Sequence, residues 1–189
     1  MSFRLWSLST QINVTDANGQ PVCFVQQKMF RLKEAVTVFS NPSKTQVLCE
    51  IKADRVIDWS ASYHFIDAQG ESFGAVRRKG MRSLFKAHYE VLDEDNVHIS
   101  TITEENPMAK VFDSLFSEIP VLGLFSGYVF HPRYVLTSVD GQPRMRVTKQ
   151  RALLEGKYIM EKLIDYDPVA ELRALMAFLM MTLLERRRG

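Results

Sequence analysis

The sequence predicts a mainly β domain: a large closed antiparallel β-barrel wound around one central apolar helix at the C-terminus. Three observations carry this prediction. Short alternating runs indicate half-buried strands, turn dipeptides separate those runs, and an unbroken apolar helix follows them. The chain has 189 residues, of which 46% are hydrophobic, and no Gly/Ser/Pro linker divides it. We therefore expect a single domain over residues 1–189.

The strand prediction depends on period-two alternation. Val47, Cys49 and Ile51 fall on one face, and the residues between them fall on the other. Comparable runs occupy residues 12–15, 22–25, 36–39, 63–66, 97–102 and 134–139. The dipeptides between runs are Asn18-Gly19, Asn41-Pro42, Gln69-Gly70 and Asp140-Gly141. These residue types favour tight turns, so the pattern predicts an antiparallel meander.

Three of the turns resemble one another. Residues 16–19 read Asp-Ala-Asn-Gly, residues 67–70 read Asp-Ala-Gln-Gly, and residues 138–141 read Ser-Val-Asp-Gly. A valine follows each glycine after six residues. The repetition predicts one hairpin used three times with an insertion before the last copy. The alternative is chance recurrence of a common turn.

The insertion begins at Asn106-Pro107, an N-cap followed by proline at the first helical position. Apolar residues then recur at helical spacing, which predicts a short amphipathic helix from Pro107 to Ser117. The apolar segment from Ile119 to Phe130 follows. If that segment is exposed, it is a candidate docking surface for a protein partner or a second copy of the chain.

The predicted C-terminal helix runs from Pro168 to Leu184, with Asp167 as its cap. From Ala174 onward it is apolar on every face except at Thr182, so it must be surrounded, by lipid or by protein. Seventeen residues span roughly 26 Å, slightly less than the hydrocarbon core of a bilayer. Burial inside a barrel therefore fits better, and a tail-anchored membrane protein is the alternative.

Composition and motifs exclude several function classes. A net charge of +2 and a pI near 8.5 fall short of a nucleic-acid-binding domain. The N-terminus has no apolar run typical of a secretory signal, so Cys23 and Cys49 are expected to be reduced thiols in a cytoplasmic protein. The four histidines lack metal-ligand spacing, and no nucleotide loop is present. We expect no catalytic residues, metal or cofactor, and therefore no enzyme.

Basic clusters are the remaining functional signal. The candidate ligand-binding residues are Arg77, Arg78, Lys79, Arg82, Arg144 and Arg146. If the two strands that carry them are neighbours, these side chains form one positive patch able to hold phosphate oxygens. The alternative is a solvated strand edge protected by charge. The sequence thus predicts a non-enzymatic module that binds an anionic lipid head group or another phosphate-bearing ligand, peripherally at the inner membrane surface in the lipid case.

Several short strings resemble the tubby C-terminal-like superfamily, and more closely the bacterial relatives of LURP-one-related and phospholipid scramblase proteins. They are Arg-Arg-Lys-Gly at 77–80, Glu-Glu-Asn-Pro at 104–107, Gly-Tyr at 127–128 and Glu-Arg-Arg-Arg-Gly at 185–189. The resemblance implies a twelve-stranded barrel around a central C-terminal helix. Its functional implication is broad, because tubby domains bind phosphoinositide head groups, scramblases are named for lipid movement and many bacterial members have no assigned activity; the phosphoinositide site of tubby domains does not map onto this chain residue by residue. The chain departs from scramblases because it lacks an Asp-x-Asp-x-Asp-Gly calcium loop and a cysteine-rich N-terminal region.

Overall fold

The computed structural model describes residues 2–8, 11–26, 35–54, 61–78, 88–105, 132–150 and 156–186. Within these ranges the chain forms twelve strands and one helix. The strands are β1 Ser2–Leu8, β2 Gln11–Thr15, β3 Pro21–Gln26, β4 Val36–Phe39, β5 Val47–Ala53, β6 Ser62–Ile66, β7 Ser72–Arg78, β8 His88–Leu92, β9 His98–Glu104, β10 Arg133–Ser138, β11 Pro143–Gln150 and β12 Gly156–Lys162. The helix α1 spans Pro168–Arg186.

The strands β2 to β12 form an antiparallel sheet in which neighbours in the chain are neighbours in space. The predicted mainly β meander with a C-terminal helix is therefore confirmed. Strand β1 pairs antiparallel with β2 on one side and with β12 on the other. Each pairing of consecutive strands is local, as expected for strands joined by hairpins.

One apolar cluster joins every strand from β2 to β12 to the helix. It includes Ile12 on β2, Phe65 on β6 and Met160 on β12, each at most 1% exposed. These inward residues alternate with less buried ones along the strands, as the period of two requires. Because one apolar cluster contains residues of all eleven strands and of the helix, the sheet must curve around the helix.

The middle of α1 is buried on all sides. Every residue from Ala174 to Leu183 is at most 6% exposed, including Thr182, whose hydroxyl donates to the Phe178 carbonyl at 2.9 Å. The helix begins at Pro168, as predicted, and Asp167 caps it by accepting the Ala170 amide at 2.9 Å. It continues two residues beyond the predicted end at Leu184, to Arg186. Among the described residues, no helix combines the length and apolar character needed to cross a bilayer.

The repeated turns are true structural repeats. In the copies at Asp16 and Asp67, the aspartate Oδ1 accepts two amides, from the residues two and four positions later, at 2.8 to 2.9 Å. The glycines Gly19, Gly70 and Gly141 all have positive φ, and a register shift precedes each turn. This is the arrangement of three-residue hairpin loops with a left-handed residue. The hairpin prediction is confirmed for β2–β3, β6–β7 and β10–β11.

A fourth copy, which the sequence pattern missed, joins β8 to β9. Asp93 Oδ1 accepts the amides of Asp95 and Val97 at 3.1 and 2.8 Å. Asn96 takes the left-handed position with φ of 63°, in place of glycine. Asparagine tolerates this region better than other non-glycine residues, which explains why the turn is preserved without the expected Gly.

The hairpin turns all lie at one end of the sheet, because successive antiparallel connections alternate between its two ends. We call this the turn end. Strand β12 also runs toward the turn end, so α1 begins there. The predicted helix from Pro107 to Ser117 and the apolar segment from Ile119 to Phe130 lie outside the described residues.

Polar contacts fix both ends of α1. Near its start, the Arg173 guanidinium donates from Nε to the Phe73 carbonyl at 2.6 Å and forms an ion pair with Glu94. Near its end, the Tyr89 hydroxyl donates to Glu185 Oε1 at 2.6 Å. The apolar middle gives the helix no directional contacts, so these polar contacts set its position along the sheet.

Candidate functional site

A cavity of about 190 Å³ lies at the turn end, between the start of α1 and the inner face of the sheet. Its apolar wall consists of Val91, Ile99 and Leu136 from neighbouring strands β8, β9 and β10. Ala170 and Ala174 complete that wall from one face of the helix, since residues four apart lie above one another. Their small side chains leave the space unfilled.

The remaining lining is polar. Ser100 and Ser138 lie on the strands, Arg144 follows the β10–β11 turn, and Tyr166 lies in the segment between β12 and α1. The other polar lining residues are Asp165, Asp167 and Arg173. The cavity therefore combines an apolar wall with convergent polar groups, which is typical of small-molecule sites.

Two buried polar atoms in this lining have no hydrogen-bond partner among the described residues: Arg144 Nε and the Tyr166 hydroxyl. Burial raises the pKa of Tyr166 to about 12, with Glu171 adding to the shift and Arg144 opposing it. The phenol is therefore a neutral hydrogen-bond donor near pH 7. A buried donor without an acceptor costs about 1–3 kcal/mol, so an acceptor that entered the cavity would be stabilised there.

Among the described residues, Asp140 is the one carboxylate within 4 Å of the Arg144 guanidinium, and it has other partners. The shortest distance from the Arg144 guanidinium to Asp140 is 3.8 Å, between NH2 and Oδ2. Asp140 accepts from the Ser138 hydroxyl and from the Gln142 amide. These two contacts, and then Arg144, lower the pKa of the Asp140 carboxyl. Asp140 thus offsets the charge of the Arg144 guanidinium only in part.

Two of the other predicted ligand-binding arginines form ion pairs with carboxylates. Arg77 Nε lies 2.7 Å from Glu90 Oε2, across the β7–β8 pair. Arg146 contacts both oxygens of Glu105, with Nε at 3.0 Å from Oε1 and 3.2 Å from Oε2. In a bidentate pair of this kind the carboxylate offsets the guanidinium charge, which weakens the attraction of Arg146 for a further anion.

Arg78 has an aromatic partner, since its guanidinium lies 5.8 Å from the centre of the Tyr89 ring. That distance is within the range of a cation–π interaction. Lys79 and Arg82 lie outside the described residues.

The two strands that carry the predicted basic residues are not neighbours, so the condition for a single basic patch is not met. Strands β7 and β11 are separated by β8, β9 and β10, which places them roughly 19 Å apart at the usual strand spacing. In addition, Arg77 and Arg78 lie at the end of β7 remote from the turn end, whereas Arg144 is the second residue of β11. The sequence pattern suggested proximity because both clusters follow similar turns, but the sheet separates the two hairpins.

The two cysteines are buried in the core and carry no site chemistry. Cys23 and Cys49 are free thiols at most 1% exposed, and Cys49 Sγ lies 3.4 Å from Met176 Sδ on the helix. Burial, and secondarily Glu50, raises the pKa of Cys49 to about 12; burial, with Cys49, raises that of Cys23 further. The expectation of reduced, strand-buried cysteines agrees with this placement.

Their burial predicts slow thiol chemistry in the folded protein. At pH 8 only about one Cys49 in 10⁴ would be thiolate, the form that reacts with a disulfide reagent. We expect no colour development with Ellman's reagent over minutes in the native state, and reaction of both cysteines of the chain in 6 M guanidinium. Rapid modification of the native protein would contradict the placement of these two side chains.

The described residues contain no group of three or more His, Cys, Asp or Glu side chains placed to hold a metal ion. No family model, curated protein or solved structure matches the chain. The resemblance to tubby-like proteins therefore stays a prediction.

Proposed function

We propose that this chain is a non-enzymatic binding module that recognises an anionic, phosphate-bearing group, and that Arg144 is the side chain that contacts it. The observation that carries the proposal is the buried Arg144 Nε, which faces no acceptor among the described residues and belongs to a residue lining a cavity. Guanidinium groups suit phosphate because their donors match its oxygens.

Two other described arginines of the predicted set support the choice of Arg144 by contrast. Arg77 and Arg146 hold carboxylates at 2.7 and 2.9 Å. An incoming anion would have to displace those carboxylates first. At Arg144 the nearest carboxylate oxygen is 3.8 Å away, so an anion gains a direct contact at less cost.

The proposal includes a barrel closed through β1 around α1. The pairing of β1 with both β2 and β12 supports closure. A closed barrel has no free strand edge, so ligands reach it through its ends or its outer surface. The Arg144 cavity lies at one such end, beside the start of the helix.

The test is co-sedimentation with vesicles of phosphatidylserine in phosphatidylcholine, at low and high salt. We expect the wild-type protein to bind the anionic vesicles and to release as salt rises, because exposed charge interactions are screened. Arg144→Gln should lower the apparent affinity roughly tenfold, which corresponds to about 1.4 kcal/mol, within the usual range for a charged hydrogen bond.

Arg146→Gln is the matched control, because it also removes one positive charge from β11. Its affinity should stay within about twofold of wild type if charge alone is a minor contribution. Equal losses from both substitutions would assign binding to general charge and overturn the role of Arg144. Binding to none of three ligands, namely anionic vesicles, inorganic phosphate and a phosphodiester, would overturn the proposed function itself.

A further inference from the structure

The cavity beside Arg144 has a polar rim and an apolar wall, and these two halves restrict the ligand differently. The rim holds Arg144 and Tyr166, whose unpartnered atoms are both donors at neutral pH. Two donor-bearing side chains that line the same space suit an oxyanion. The wall of Val91, Ile99 and Leu136 offers no polar side-chain atom and suits a hydrocarbon body.

The charges around the cavity restrict the ligand further. Its lining holds two cations, Arg144 and Arg173, and two anions, Asp165 and Asp167. Arg173 is already paired with Glu94 at 2.5 Å. Asp167 is engaged with the Ala170 amide at the start of the helix. Because Arg173 is already paired, Arg144 is the lining cation left to face a ligand, so one additional negative charge is accommodated more readily than two.

The volume restricts the size. An engineered apolar cavity of about 150 Å³ binds benzene, which has six heavy atoms. A cavity of about 190 Å³ therefore has room for a ligand of roughly eight heavy atoms.

Resting on the proposed function, we infer that the site takes a small amphiphilic monoanion, with its oxyanion on Arg144 and Tyr166 and a short hydrocarbon body against Val91, Ile99 and Leu136. Both a phosphodiester and a carboxylate have this chemistry. Diethyl phosphate and hexanoate represent the two sources, and inorganic phosphate has the oxyanion without the body.

The experiment is an NMR titration of the ¹⁵N-labelled protein with each of these three compounds at millimolar concentrations. We expect saturable shifts of amides in β8, β9, β10 and the first turns of α1 with diethyl phosphate, with hexanoate or with both. Which of them binds identifies the oxyanion. Inorganic phosphate should bind at least tenfold more weakly, because it has no apolar body. Equal or tighter binding of inorganic phosphate would overturn the inference.

Two variants and one control test the cavity and its rim. Ala170→Leu fills the cavity from the helix and should abolish the shifts, whereas Val169→Leu, at a neighbouring residue that is 52% exposed, should leave them unchanged. Should Ala170→Leu fail to fold, Tyr166→Phe removes one donor without changing the cavity's shape. It should weaken binding about fivefold or more, and unchanged affinity would overturn the assignment.

The two proposals fail in different ways. Vesicle binding that depends on Arg144, together with no response to diethyl phosphate or hexanoate, would overturn this inference and leave the proposed function standing. Absence of binding to vesicles, inorganic phosphate and both small anions would overturn both.

Discussion

Replacing Gly74 with alanine is expected to lower the free energy of unfolding by about 3 kcal/mol. Gly74 lies on β7 with φ of 142°, which L-residues rarely adopt. A Cβ there would meet the Leu92 carbonyl oxygen at 2.6 Å and the Arg173 side chain at 2.8 Å. The backbone oxygen cannot yield easily, and displacing Arg173 would break its bond to the Phe73 carbonyl.

Gly70→Ala is the matched control for this substitution. Gly70 also has positive φ, at 89°, but a Cβ there would meet nothing within 4 Å. Its cost should be limited to backbone strain, about 1 kcal/mol. Denaturant unfolding of both variants measures the difference. Equal costs would show that Arg173 does not cross Gly74 closely.

Replacing buried side chains of α1 with alanine should lower the free energy of unfolding on every face of the helix. Phe178, Leu179 and Met180 are consecutive and each is 0% exposed. Successive helical residues point about 100° apart, so the three side chains sample most of the helix circumference. Each substitution to alanine is expected to lower the free energy of unfolding by about 2–5 kcal/mol, because each leaves a cavity in a packed core.

Val169→Ala supplies the reference from the same helix, since Val169 is 52% exposed. Its cost should stay below about 0.5–1 kcal/mol, as is usual for surface positions. A near-neutral effect at any one of the three buried residues would mean that one face of α1 is exposed to solvent. That result would contradict a sheet curved around the helix.

The parts of the fold that the sequence predicted are those set by local patterns. The apolar run after Arg173 has no polar face, so the sequence predicted a helix surrounded on all sides, by protein or by lipid. The turn at Asp67 was predictable because aspartate and glycine occupy the positions that need their special properties. The turn at Asp93 was missed because Asn96 replaces the glycine.

The positions of the strands relative to one another in the sheet were harder to predict from the sequence. Alternation shows which face of a strand is buried, but it does not show which strands lie between two others. The basic clusters on β7 and β11 therefore looked equivalent, although three strands separate them. The ion pair of Arg77 with Glu90 joins residues 13 apart, and that of Arg146 with Glu105 joins residues 41 apart. No local signal indicates such partners.

The candidate site was predicted only in part. Arg144 was among the predicted ligand-binding residues, yet its cavity depends on Tyr166 and on the small helix residues Ala170 and Ala174. Alanines on one face of an otherwise bulky helix were the available signal, because small residues next to large ones leave space. Their facing partners on β8 to β10 required the tertiary structure.

The most direct test of Arg144 as the ligand-binding side chain follows its Nε–H resonance in ¹H–¹⁵N spectra. This resonance is assigned by its loss in Arg144→Gln. The protein is titrated with diethyl phosphate, hexanoate and anionic vesicles. We expect at least one of these ligands to shift or broaden the resonance saturably. The Arg146 Nε–H resonance, held by Glu105, should stay in place. A resonance of Arg144 that is unmoved by all three ligands would contradict the assignment of this site.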